Sequence, residues 1–368
     1  MGSRVKAIYI HIPFCKRICS YCDFTKVFYN EKIVLKYLDR LEEEIISNYK
    51  GEKIETIYIG GGTPSSLSIN ELERLFEIIK RFDKSNLVEF TIEVNPEDIN
   101  EDKLKLFKNN GINRISIGHE TCDKNRLIEL NRTSPVAKEQ IELVKKYFDN
   151  INVDLMYGFN NQTREEFLSD VDYILSLDIP HISTYSLILE KHTKLFVDRY
   201  KRLDDDTDSL FYKLIQDRFE SVGLNQYEIS NFAKLGYESK HNLTYWNNLE
   251  YYGFGVGASG YIDNIRYTNT KSITSYIKGM LNREEEILTK EDKMIYEMIL
   301  GLRKSEGVSK KMFFDKYSCT IEQTFDIMSL IRDKLLEEDN DYIRIPKNYL
   351  YLENAILTHF LEVVHDEK

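Results

Sequence analysis

Three of the five cysteines in this 368-residue chain fall within eight residues, in the run Tyr9-Ile10-His11-Ile12-Pro13-Phe14-Cys15-Lys16-Arg17-Ile18-Cys19-Ser20-Tyr21-Cys22-Asp23-Phe24. CxxxCxxC spacing lets one short loop offer three thiolates to three irons of a 4Fe–4S cube, leaving the fourth iron without a protein ligand. The competing reading is structural zinc with His11 as fourth ligand, although zinc sites more often use paired CxxC units and no second pair exists here. Cys122 and Cys319 stand far away, and an odd count gathered at one end does not suit a disulfide framework. The triplet reads as a metal site.

Further residues have types suited to a ligand. Gly60-Gly61-Gly62-Thr63-Pro64 lets backbone approach a bound molecule closely, or makes only a tight turn. Glu93, in Glu93-Val94-Asn95-Pro96, could accept hydrogen bonds from an amino or hydroxyl group, though most glutamates are simply solvated. Arg132 carries the planar, permanently charged fork that pairs with carboxylates. Asp154, inside the apolar run Val153-Asp154-Leu155-Met156-Tyr157-Gly158, is costly to bury unless paired. In His241-Asn242-Leu243-Thr244-Tyr245-Trp246 an imidazole able to ligate heme iron stands near two aromatics. Yet Trp246 is the only tryptophan and could anchor a core, and His241 could be a structural hydrogen-bonder.

Elements with two alternating patterns must position these groups. Short β-branched and aromatic runs at 6–12, 54–60, 88–94, 112–118, 151–157 and 181–188 predict strands. Helical spacing at 31–49, 70–81, 101–109, 136–148 and 164–177 separates them, and Ser68-Ile69-Asn70-Glu71 has capping-box spacing. Recurring strand–helix units imply parallel strands with right-handed crossovers, hence an α/β fold with a partial (β/α)6 barrel and chemistry on the loops after the strands. Residues 1–190 are the expected barrel, and 191–283 an extension that carries His241. Residues 284–368 are the expected α-rich, winged-helix-like domain. Its helices are predicted near 289–303, 309–316 and 321–338, followed by a hairpin-like 342–352 and a last helix.

Acidic residues number 61 and basic residues 50, a formal charge of −11, so a nucleic-acid-binding role is not expected. Hydrophobic content of 42% and charged content of 30% describe a globular protein. No apolar run is long enough for a transmembrane segment and no leader pattern precedes the first strand, so a cytoplasmic protein is expected.

The cysteine spacing, with aromatic Tyr21 just before the third thiol, resembles the radical S-adenosylmethionine (SAM) superfamily. The resemblance implies that SAM chelates the open iron and can be cleaved to a 5′-deoxyadenosyl radical. It assigns Gly61, Gly62 and Thr63 to the amino end of SAM, Glu93 to SAM, Arg132 to its carboxylate and Tyr9 to the adenine side. Glu120, in Gly118-His119-Glu120-Thr121, stands where relatives usually carry the neutral Gln of Gly-Val-Gln-Ser. Asn160-Asn161-Gln162-Thr163 and Ser259 also depart from the usual pattern.

The run Tyr227 to Lys234, then His241 to Trp246, Tyr252 to Gly255, Gly301-Leu302-Arg303 and Glu306-Gly307-Val308 look like the coproporphyrinogen dehydrogenase-like group. Two branches compete, the oxygen-independent coproporphyrinogen III dehydrogenases (HemN) and the heme chaperones (HemW). The first carries a fourth cysteine where this chain has Phe24, and a longer region before the cluster where this chain has fourteen residues. HNxxYW marks the second. The resemblance therefore implies a chaperone rather than a dehydrogenase, with three cofactors: a 4Fe–4S cluster, SAM and heme. His241 is the heme-ligand candidate, and the implied partners are recipient hemoproteins such as respiratory cytochromes and an electron donor.

Overall fold

The computed structural model describes residues 5–361. Its centre is a sheet whose parallel strands are β1 (Ala7–Ile12), β4 (Thr56–Gly61), β5 (Glu89–Val94), β6 (Arg114–Glu120), β7 (Asn150–Tyr157) and β8 (His181–Ser186), paired in that order. Two short strands, β2 (Phe14–Cys15) and β3 (Val27–Phe28), form a separate parallel pair at the mouth of the barrel. The central strands alternate: Ile57, Ile59, Ile92, Ile115, Ile117, Val153 and Leu155 share one face, buried in the apolar core, while Tyr58, Glu93, Ser116, Asn152 and Asp154 take the other. The helices between these strands are α1 (Glu31–Asn48), α2 (Ile69–Ile79), α3 (Glu101–Asn109), α4 (Lys124–Glu129), α5 (Lys138–Lys145) and α6 (Arg164–Ser176). The capping box at Ser68 starts α2, with Glu71 Oε2 accepting from the Ser68 amide at 2.7 Å. The expected helix at 136–148 is shorter, because the backbone beyond Lys145 turns to deliver Phe148 to the core.

The barrel does not close. After α7 (Lys194–Val197) and α8 (Asp205–Glu220), β9 (Asn225–Glu228) and β10 (Asn231–Ala233) extend the β8 edge antiparallel. Helix α9 (Lys240–Trp246) follows, and β11 (Tyr251–Phe254) joins the opposite edge parallel to β1. From β11 the sheet continues antiparallel through β12 (Ser259–Ile262), β13 (Ile265–Thr268) and β14 (Glu284–Ile287). The buried Glu44 of α1 ties this extension to the barrel, accepting from the Gly255 amide (2.9 Å), Asn269 Nδ2 (2.8 Å) and the hydroxyl of Tyr276 (2.5 Å), with Arg283 at 3.5 Å. A buried carboxylate is tolerated when so fully paired.

The C-terminal region packs α10 (Lys290–Gly301) and α11 (Lys310–Tyr317) against a small antiparallel sheet made from 308–309, 337–338 and 342–344. The expected helix over 321–338 is two short helices, Ile321–Thr324 and Ile327–Arg332. Phe325 adopts extended backbone between them, burying its ring against Phe313 and Phe360, and Asp326 caps the second helix. The hairpin-like 342–352 is one strand followed by a 3-10 helix, Lys347–Leu352. Arg303 and Ser305 bind this region to the barrel edge through the Ile229 amide (3.0 Å) and the Tyr227 carbonyl (3.0 Å). Among the described residues no helix is long and apolar enough to cross a membrane.

Candidate functional site

The loop carrying the thiols is held from four sides. At its base the Val27 amide donates to Pro13 O (2.8 Å) and Tyr29 to Cys15 O (2.9 Å). The glycine turn supplies the second support, Gly62 N donating to Ile12 O (2.8 Å) and Thr63 N to Phe14 O (2.9 Å). On a third side the Ser20 amide binds Leu130 O (3.0 Å) and Asn131 Nδ2 binds Ile18 O (2.8 Å). Lys16 completes the support through buried Asp98 (2.8 Å).

Cys15, Cys19 and Cys22 line a cavity of about 480 Å³ over the C-terminal ends of the strands. Gly61, Gly62, Thr63, Glu93, Glu120, Arg132, Asp154 and Tyr21 line the same cavity. The strand alternation puts Asp154 and Met156 of β7 on one wall, and a bulge between Gly118 and Glu120 leaves Glu120 at φ +69° beside them. Phe24, Leu187 and Ile188 add apolar lining beside Met156, and Arg17 and Lys26 supply positive charge at the loop.

The glycines are required by geometry. A Cβ on Gly62 would stand 2.9 Å from Cys15 Sγ and 2.7 Å from the Pro13 carbonyl carbon. On Gly61, at φ +118°, it would strike the His11 ring at 2.6 Å. Thr63 Oγ1 approaches Cys15 Sγ at 3.6 Å. Backbone and thiol thus form a cradle that admits no added carbon, and three cysteines lining one cavity supply the sulfur donors that an iron–sulfur cluster would need. The zinc alternative lacks its fourth ligand here. His11 Nε2 donates to Thr25 O (2.7 Å), which leaves Nδ1 to accept from the Tyr9 hydroxyl (2.9 Å). Burial lowers that imidazole to about 4, so it is neutral and committed on both nitrogens.

Three carboxylates and one guanidinium set the electrostatics. Glu93 accepts from Tyr58 Oη (2.9 Å) and the Gly61 amide (3.0 Å). Desolvation, opposed by these bonds and reinforced by nearby Asp154, raises it to about 7. Asp154 is raised to about 6 by burial and by Glu120, while Asn152 Nδ2 holds it at 2.8 Å. Arg132 donates to Gly118 O, lies 3.4 Å from Glu120 Oε1 and 3.6 Å from Cys19 Sγ, and reaches Asn95 Oδ1 at 3.5 Å. A cavity lined by more carboxylates than cations, with the Arg132 guanidinium held among them, suits a ligand carrying both an ammonium or sulfonium and a carboxylate.

Tyr9 and His241 lie outside this lining. Tyr9 sits behind it, 6.2 Å from the Tyr58 ring. His241 is buried in the barrel floor at the start of β4, with Thr56 Oγ1 at 2.9 Å from Nδ1 and Tyr245 Oη at 2.7 Å from Nε2. Its ring is 5.3 Å from that of Tyr58, one aromatic layer behind Glu93. Sequence reasoning missed Asn95, Tyr58, Asn152 and the apolar wall; of these only Asn95 carried a signal, two residues beyond Glu93 on the same strand end. Among the other histidines, His119 and His181 are buried and hydrogen-bonded, His192 and His359 are exposed, and His365 lies outside the described residues.

Residues 9–174 match the radical SAM superfamily, and residues 288–348 match the HemN C-terminal domain. A protein of Lactococcus lactis named heme chaperone HemW is 41% identical, covering 98% of this chain and 98% of its own. Proteins of the same name from Bacillus subtilis (39%, covering 97% and 99%) and Escherichia coli (30%, covering 96% and 98%) are similar over their full lengths. Among solved structures, coproporphyrinogen III oxidase (HemN) from Escherichia coli shares the fold at a TM-score of 0.83, covering 97% of this chain and 90% of its own at 21% identity. With its thiol loop, glycine turn and strand-end charges on one cavity, the chain belongs to the HemW heme-chaperone family of the radical SAM superfamily.

Proposed function

We propose that this protein binds heme and passes it to hemoproteins, with respiratory cytochromes as candidate recipients, and that it works in the cytoplasm with an electron donor. The observation that carries the reading is the 41% identity to a heme chaperone across nearly the whole of both chains. Membership of the superfamily implies a 4Fe–4S cluster and SAM. Cys15, Cys19 and Cys22 would hold the cluster, which supplies an iron with an open coordination position and one-electron reducing power. Gly61, Gly62 and Thr63, which line the cavity, would meet the amino end of SAM with backbone and hydroxyl, Glu93 would accept from that amino group, and Arg132 would pair with the carboxylate. Glu120 and Asp154 would add acceptors for hydroxyls, and Tyr9, beside Tyr58, is assigned to the adenine side.

His241 is the proposed heme ligand. Its use requires α9 to leave the barrel floor, which frees Nδ1 from Thr56, or Nε2 to give up the hydroxyl of Tyr245, one turn along the same helix. The division at residues 190 and 283 into barrel, His241-bearing extension and C-terminal domain follows the same reading. Heme titration of anaerobically reconstituted protein should give stoichiometric uptake, weakened in His241→Ala. Incubation with coproporphyrinogen III, SAM and reductant should give no protoporphyrinogen. Robust turnover would instead make the chain an oxygen-independent dehydrogenase.

A further inference from the structure

Tyr21, Glu120 and Arg132 form a buried unit that touches the thiol loop at two points. Tyr21 Oη, on the loop between two cysteines, donates to Glu120 Oε1 at 2.9 Å. The same oxygen lies 3.4 Å from Arg132 Nη2, whose other nitrogen Nη1 points at Cys19 Sγ from 3.6 Å. The guanidinium is held in that direction by Gly118 O and Asn95 Oδ1. Its place exists because residue 118 is glycine, since a Cβ there would meet Nη2 at 2.7 Å. Glu120 reaches it from a left-handed backbone at φ +69°, a conformation that a non-glycine residue holds only when its surroundings enforce it.

We propose that Glu120, through Arg132 and Tyr21, is a positioning residue that aims one charged N–H at the sulfur of Cys19 and sets the reduction potential of the cluster held there. The inference rests on the reading of Cys19 as a cluster ligand. Hydrogen bonds to ligand sulfur and nearby positive charge favour the reduced, more negative cluster, whereas a carboxylate opposes it. A neutral residue at 120 leaves the guanidinium charge uncompensated; the acidic Glu120 balances it and holds the potential down. Tyr21 adds a mechanical link, so that the loop and the guanidinium move together.

The test is a mediated, dithionite-driven titration of the reconstituted full-length protein, followed by electron paramagnetic resonance, without SAM. Glu120→Gln should raise the reduced-to-oxidised ratio at a fixed potential by about tenfold, about 59 mV for a one-electron couple. Arg132→Gln should lower it, and the double variant should fall between the two. Tyr21→Phe should leave iron content intact but broaden or shift the reduced-cluster signal. Unchanged potentials in both Glu120→Gln and Arg132→Gln, at wild-type iron content, overturn the proposal. Iron loss in both single variants, with wild-type content retained in Tyr21→Phe and Arg132→Lys and no change in their potentials, also overturns it. Failure of the wild-type protein to form any cluster would instead overturn the assignment of Cys19.

Discussion

Glu89 is the residue that seats α9, and its replacement should release the helix bearing His241. The carboxylate is buried at the first position of β5 and accepts from the amides of Lys240 (2.8 Å) and His241 (3.0 Å) and from Ser239 Oγ (3.4 Å). It therefore satisfies N–H groups of the first turn that the helix itself cannot, with the charge sign that an N-terminus favours. A hydrogen bond to a charged partner contributes about 1.5–3 kcal/mol. Glu89→Gln keeps one carbonyl acceptor and loses the charge, so α9 should be destabilised by about 2–3 kcal/mol. Glu89→Ala removes the partner of both amides and should cost about 2–6 kcal/mol, a large share of the stability of a typical domain. Native-state hydrogen exchange read by mass spectrometry on peptides covering 240–249 is the assay. About 2 kcal/mol corresponds to exchange roughly thirtyfold faster in Glu89→Gln, with peptides from α2 and α3 unchanged. If His241 ligates heme, the same variant should bind heme more readily at equal protein concentration. Wild-type exchange in α9 of Glu89→Gln would refute the reasoning.

Gly62→Ala should fold yet retain severalfold less iron after reconstitution, because its Cβ would stand 2.9 Å from Cys15 Sγ; iron analysis alongside circular dichroism checks this. Affinity for SAM should rise between pH 5.5 and 7.5 as Asp154 (raised to about 6) and Glu93 (raised to about 7) ionise to meet a cationic ligand. Glu93→Gln should remove the upper part of that rise in equilibrium dialysis. Glu228, buried beside Glu353 and Arg303, is raised to about 7 chiefly by desolvation, with Glu353 adding to it and Arg303 opposing it. A carboxylate whose folded value lies above its unfolded value of 4.5 binds more protons in the native state, so its contribution weakens stability as pH rises from about 4.5 through 7. Glu228→Gln should therefore raise the urea midpoint more at pH 8 than at pH 5, with an upper bound of about 3 kcal/mol; an equal change at both pH values would contradict it.

The barrel was legible because short β-branched and aromatic runs, apolar at every second residue, alternate with stretches of helical spacing. Each of the six runs read from the sequence overlaps one of β1 and β4 to β8. The strand-end position of Gly61 and Glu93 followed from that reading, and the cavity gathers them and Asp154, read as an acid inside an apolar run, with the three thiols. Other features depend on contacts remote in sequence. The extension through β11 to β14 shows no simple alternation, since Tyr252 and Tyr267 bury their rings while bonding their hydroxyls to Glu52 and to the Gly253 backbone. The break at Phe325 is imposed by burial of its ring, which overrides helical spacing. The sequence left His241 either a heme-ligand candidate or a structural hydrogen-bonder; the seated helix bonds it to Thr56, with Glu89, 152 residues earlier, holding the His241 amide, and to Tyr245 one turn along. Tyr58 and Asn152 were invisible as site residues, since each acts only by orienting a carboxylate on its own or a neighbouring strand.

Oxygen-free reconstitution followed by iron, sulfide and zinc analysis, with electron paramagnetic resonance before and after SAM is added to the reduced protein, tests the central claim most directly. The account predicts about four irons and about four sulfides per chain, and a reduced-cluster signal that changes when SAM occupies the open iron. One tightly held zinc ion per chain, or a cluster whose signal ignores SAM, would contradict it.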